Sequence, residues 1–133
     1  MTGLAVLLGH AAAAQEQASV AVVGDVAVGE GVFRRCQACH EVGEGAAHGV
    51  GPILNGVLGR PAGSAEGFEY SDALREAGEA GLVWTVEDLN AFLERPRDKV
   101  PGTAMSFVGL RSEEDRNDVI AYIVEASPGN EEE

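Results

Sequence analysis

Cys36-Gln37-Ala38-Cys39-His40 decides how the rest of this 133-residue chain is read. Two thiols separated by two residues, with a histidine directly after the second, form the spacing at which a polypeptide attaches a c-type haem. Each thiol can add to one vinyl group on one edge of a porphyrin, and the adjacent imidazole is then held under the ring, within reach of the iron. Without the histidine, Cys-x-x-Cys would serve equally as a redox dithiol or as half of a zinc site. The sequence holds only these two cysteines, so no second pair exists to complete a zinc site. A disulfide between them would be a strained redox pair rather than a structural staple.

Upstream of the motif, Asp25 is a good N-cap for a helix in which Val28, Gly29, Val32, Phe33 and Arg35 fall at helical spacing, and which runs into the cysteine segment. Gly29 and Phe33 share one face, so a second helix can approach over the glycine while the ring packs beside it. Downstream, the glycine-rich stretch from Glu41 leads to Gly51-Pro52-Ile53-Leu54-Asn55-Gly56-Val57-Leu58-Gly59-Arg60. Pro52 has no N–H, and its carbonyl on a rigid turn suits the second nitrogen of a ligating His40. Arg60 is a candidate partner for a haem propionate.

Ser71 reads as the N-cap of a short helix to about Gly78, and Gly81 to Trp84 as a short extended piece. Thr85 and Asp88 form a capping box for a helix to about Glu94, with Leu89, Phe92 and Leu93 as its apolar stripe. A loop with Pro101-Gly102 presents Met105. Ser112 opens a last helix to about Ala126, with Val119, Tyr122, Ile123 and Val124 on its apolar face. The sequence shows no convincing strand alternation, and the expectation is an all-α fold of about four to five helices around one covalently bound haem.

The length suits a single domain. Only 5% of the residues are aromatic, so bulky side chains for a core are few, and a buried porphyrin would supply the missing apolar bulk. Nine basic against 22 acidic residues give a net charge of −13, which excludes nucleic-acid binding and adhesion to anionic lipid. Residues 1–14 read as a signal peptide remnant, apolar and then Ala-rich, with cleavage expected after Ala14. Its apolar run is far shorter than the roughly 20 residues of a membrane span, so no stable membrane insertion is expected. Residues 15–133 then form the domain, with 130–133 as an acidic tail.

Taken in order, the Gly-x-x-x-Phe helix, Cys-x-x-Cys-His, Gly-Pro-x-Leu-x-Gly, the tryptophan segment, Pro-Gly-Thr-x-Met and a final helix with Ala-Tyr resemble a class I monohaem cytochrome c of the soluble bacterial periplasmic c2 type. The resemblance covers residues 24–126. It implies a periplasmic, monomeric one-electron carrier rather than an enzyme, with one haem c held by Cys36 and Cys39 and ligated by His40 and Met105. It also implies membrane-bound redox partners, such as a cytochrome bc1-type donor and an oxidase or photosynthetic reaction-centre acceptor. Pro52 matches the acceptor for His40. Arg60, Tyr70, Trp84 and Thr103 match positions that hold the propionates or line that end of the pocket, although Tyr70 and Trp84 suit simple core equally. Gly29, Phe33 and Tyr122 match a helix-crossing contact, and His48 is read as solvated.

Two departures stand out. Phe92 occupies a position where many family members carry a tyrosine whose hydroxyl bonds to the methionine sulfur. Where relatives present a lysine ring, this chain offers Arg34, Arg35, Arg95, Arg97 and its single lysine, Lys99. They read either as a small basic rim around the haem edge or as scattered solvated charges. The competing function is a haem peroxidase or gas-binding sensor in which Met105 is displaced. A haem-free dithiol oxidoreductase is a second.

Overall fold

The computed structural model describes residues 22–129, together with Gly3. The expected signal segment and the acidic tail lie outside the described residues apart from Gly3. Five helices follow in order: α1 (Val26–Phe33), α2 (Asp72–Glu79), α3 (Val86–Glu94), α4 (Pro96–Lys99) and α5 (Glu113–Ala126). The extended piece before α3 makes one isolated antiparallel bridge, Val83 with Pro61. The all-α expectation therefore holds among the described residues.

Local chemistry explains where the helices begin. Asp25, Ser71, Thr85 and Ser112 each accept a hydrogen bond from the backbone N–H three residues on, which satisfies a donor that the first turn leaves free. Thr85 and Asp88 bond reciprocally, at 3.0 and 3.1 Å. One boundary differs from expectation, and one short helix is additional. α1 ends at Phe33 instead of running through the cysteines, because the N–H groups of Arg34, Arg35 and Cys36 turn to the carbonyls three residues back, tightening the chain. Beyond α3, Pro96 does not simply end helix: it sits at the first position of α4, where its missing N–H costs nothing.

The core joins α1, α3 and α5 around Val32, Phe33, Leu89, Phe92, Val119, Ile120 and Ile123, with Val57, Trp84, Val100 and Leu110 contributed by loops. On α1 the buried residues are Gly29, Val32 and Phe33, whereas Val28 is half exposed. α5 also buries Ile120, beyond the apolar face expected from Val119, Tyr122, Ile123 and Val124. α1 and α5 cross at Gly29, where an added Cβ would fall on the Asp118 carbonyl. Just past it the Phe33 and Tyr122 rings meet with centroids 5.3 Å apart. Asp118 also accepts from the Asp25 N–H at 2.7 Å, so α5 helps to cap α1.

Gly29→Ala is expected to destabilise the haem-loaded protein by about 1–3 kcal/mol through overpacking at this crossing. Gly31→Ala, whose Cβ meets nothing within 4 Å, is expected to gain about 0.5–1 kcal/mol in the same urea titration.

Candidate haem site

The turn after α1 brings the attachment residues together. Cys39 and His40 both direct their N–H groups to the Cys36 carbonyl, at 3.1 and 2.9 Å, which winds the five residues into a compact turn. Neither cysteine is in a disulfide. Before attachment, burial pushes the Cys36 thiol above its ordinary pKa, with the Arg35 charge opposing and Cys39 reinforcing.

His40 is fixed from outside the turn. Its Nδ1 donates to the Pro52 carbonyl at 2.7 Å, which leaves the Nε2 lone pair as its donor to a metal. Burial lowers the imidazole pKa, only partly offset by that bond, so the ring stays neutral. Gly51 lies flat against the ring, where a Cβ would strike it. Gly51 also donates its N–H to the Cys39 carbonyl at 2.8 Å, which ties the glycine loop back to the attachment turn.

The remaining expected residues fall on loops around this turn. Arg60 donates from Nη1 to the Asn55 carbonyl at 2.8 Å, while its buried Nε has no protein acceptor among the described residues. An orphaned buried donor of this kind is unusual and fits an acidic group brought by a ligand. The Tyr70 hydroxyl accepts from the Ala65 N–H at 3.0 Å, which keeps its own proton available. Trp84 is buried against Phe92, rings 5.0 Å apart. Thr103 Oγ1 accepts from the Met105 N–H at 3.2 Å. Met105 and Cys36, both partly buried, pack against the same apolar cluster.

His48 corrects the solvated reading. Its Nδ1 accepts from the Ile53 N–H at 3.0 Å and its Nε2 donates to the Glu66 carbonyl at 2.9 Å, so it ties two loops together. The basic rim is also smaller than its residue list suggests. Lys99 is bound to Asp88 at 2.8 Å, and Arg35 and Arg95 lie 3.7 Å from Asp115 and Asp98. Arg111, absent from the expected set, joins Arg95 and Arg97 around a cleft of about 620 Å³ that is also lined by Phe107 and the exposed Val108. Among the described residues, Arg97 and Arg111 have no ion-pair partner.

With two cysteines in no disulfide, a neutral imidazole oriented by Pro52 and an arginine donor left over, the donor set fits a covalent haem. The comparisons agree. The family model for cytochrome c matches residues 26–127. The chain belongs to the cytochrome c family. It is 48% identical over 101 residues to a cytochrome c2 from Agrobacterium tumefaciens, covering 76% of this chain and 91% of that one. Against a cytochrome c2 from Afifella marina the identity is 52% over 98 residues, covering 74% and 79%. The solved cytochrome c2 from Rhodospirillum centenum superposes with a TM-score of 0.72 at 45% identity, covering 79% of this chain and all of that one. This cytochrome c carries one haem c through Cys36 and Cys39, and it is an electron carrier rather than an enzyme. Among the described residues no helix is long and apolar enough to cross a membrane.

The Lys99 ammonium, by its hydrogen bond, holds the Asp88 carboxyl below its usual range, with Thr85 adding to the effect and desolvation opposing it. A depressed carboxylate stabilises the fold above its unfolded pKa of about 3.9 and loses that contribution as pH falls through the folded value. With both side chains about a third exposed, Lys99→Met is expected to cost under about 1 kcal/mol at pH 7. The gap from wild type should narrow in urea titrations as pH is lowered below about 3.9.

Proposed function

We propose that this cytochrome uses Met105 as the second axial ligand opposite His40, and that it shuttles single electrons in the periplasm between membrane redox complexes. A bc1-type donor and an oxidase or photosynthetic reaction-centre acceptor are the partners in view. Bound haem supplies a one-electron Fe3+/Fe2+ couple. The chain supplies everything that tunes and presents it.

The observation that carries this reading is an oriented, neutral His40 in the attachment turn whose Cys36 packs, like the half-buried Met105, against one apolar cluster. Met105 is also the only methionine besides Met1. The Pro101-Gly102 turn and the Thr103 hydroxyl set the path of the chain into it, the glycine at φ +89° in the left-handed region. Histidine and methionine together raise the potential relative to histidine alone, and a filled sixth position closes the iron to oxygen chemistry. Arg60 and Tyr70 are proposed to donate to the propionates, Arg60 through its unused Nε. Trp84 and Thr103 close that end of the pocket.

Docking is assigned to the cleft of Arg95, Arg97 and Arg111. Two of its guanidinium groups are unneutralised on a chain of net charge −13, so an acidic partner is drawn to this face while the body repels it elsewhere. Val108, 79% exposed, gives the same face an apolar contact beside the partly buried Phe107.

An optical redox titration of the haem-loaded protein tests the ligand set. Wild type should show the ferric methionine-to-iron charge-transfer band, and its reduced form should resist carbon monoxide. Met105→Ala should lose the band, drop in midpoint potential and bind carbon monoxide. Carbon monoxide binding by wild type would instead support the sensor or peroxidase. Phe92→Tyr introduces a hydroxyl beside Trp84 and should shift the midpoint measurably; an unchanged midpoint rejects a role for this position. Electron-transfer rates with an acidic partner should fall as ionic strength rises, and Arg97→Gln should flatten that dependence.

A further inference from the structure

Arg116 is the one basic side chain that the fold buries among the described residues, and no carboxylate there lies within ion-pair reach of it. Its protons go to neutral oxygens instead. Nε donates to Asn90 Oδ1 at 2.6 Å, and Nη1 donates to the carbonyls of Leu110 and Arg111 at 2.7 and 3.0 Å. Asn90 is braced in turn, its Nδ2 donating to Asn117 Oδ1 at 3.0 Å. Taking a guanidinium out of water with no counter-charge is costly, so a net gain from ion pairing does not explain its place.

Where the bonds lead does explain it. Leu110 and Arg111 end the segment that carries Met105, and Asn90 lies on α3 two and three residues before Phe92 and Leu93. Along the segment itself the hold is thin. Met105 donates to Thr103, and the next hydrogen bond among the described residues is Leu110 N–H to the Leu93 carbonyl at 2.8 Å. Gly109, at φ +112°, fits there because a Cβ would strike the Glu94 carbonyl. Residues 106–108 therefore make no hydrogen bond among the described residues between two anchors, with Phe107 packed on the core, and the second anchor is braced by Arg116.

We propose that Arg116 is a positioning residue for Met105: it pins the far end of the methionine segment against α3 and α5 and so keeps the thioether seated. The inference rests on Met105 being the sixth ligand. A thioether is a neutral, replaceable donor, so the fraction of molecules with the segment lifted sets how tightly a competing ligand binds. Apparent affinity scales with that open fraction.

The test is an imidazole titration of ferric, haem-loaded protein, followed at the methionine charge-transfer band and run beside urea denaturation of each variant. Arg116→Gln should bind imidazole about ten-fold more tightly than wild type, under conditions where the unfolded fraction is negligible. Asn90→Ala should give a smaller increase. Arg116→Lys, which keeps a cation able to reach the two carbonyls, should recover part of the difference. A variant that loses urea stability yet binds imidazole as wild type does would show that Arg116 serves only the global fold, and that overturns the proposal. If Arg116→Gln does not fold, Asn90→Ala and Arg116→Lys carry the test, and unchanged imidazole affinity in both overturns it. A wild type without the band, or a band that survives in Met105→Ala, removes the ligand assignment itself and with it the basis of the proposal.

Discussion

The contact on which the rest of the structure depends is the bond from His40 Nδ1 to the Pro52 carbonyl, closed at 2.7 Å. It settles the tautomer, aims the remaining lone pair and fastens the attachment turn to the glycine loop, all with a single proton. The surroundings are arranged to permit it. Gly51 gives up a side chain so that the imidazole can lie against the backbone, and burial keeps the ring neutral and able to ligate. α1 and α5 matter to the site for the same reason. They cross at Gly29, four residues before α1 ends at Phe33, and the tightened turns after Phe33 place Cys36, Cys39 and His40 relative to the core.

The two sides of the site are built by opposite strategies. His40 is held within a few residues of the covalent anchors and by a short-range partner, so its position survives loop motion elsewhere. Met105 sits in irregular chain whose hydrogen bonds are concentrated at its ends. Its seat is set by tertiary contacts that converge on Leu110, a residue 2% exposed and fixed through both its N–H and its carbonyl. A rigid imidazole and a tethered thioether make the methionine side the softer one. That side also bears the arginine cleft, so the proposed docking surface and the proposed sulfur ligand share one stretch of chain.

Much of this was legible in the sequence, and the remainder was hidden for physical reasons. Asp25, Ser71, Thr85 and Ser112 announced four helices because an N-cap is a local interaction between a side chain and a donor three residues away. Cys36 to His40 and Pro52 were readable because their spacing is set by chemistry. α4 was not, since a four-residue helix carries no periodicity and Pro96 reads as a stop as easily as a start. His48 looked solvated because both of its partners are backbone groups, on Ile53 and Glu66, and no sequence pattern marks those. Arg116 did leave a signal. It lies three and four residues before Val119 and Ile120, on the buried face of α5, where a charged residue breaks the apolar pattern.

The glycines link this irregular architecture to the need for a covalent cofactor. Eleven of those described have positive φ, most of them in the loops that connect α1 to α3. They let the chain turn without steric cost, yet each loses more backbone freedom on folding than any other residue would. Helix packing alone leaves these loops little to bury, because the chain is poor in aromatic and bulky residues. A flat apolar ring enclosed by the loops supplies the missing contact surface, and thioether bonds ensure that it cannot leave when the loops breathe. Covalent attachment in this protein thus secures the fold as well as the redox centre, and one pair of cysteines, Cys36 and Cys39, serves both.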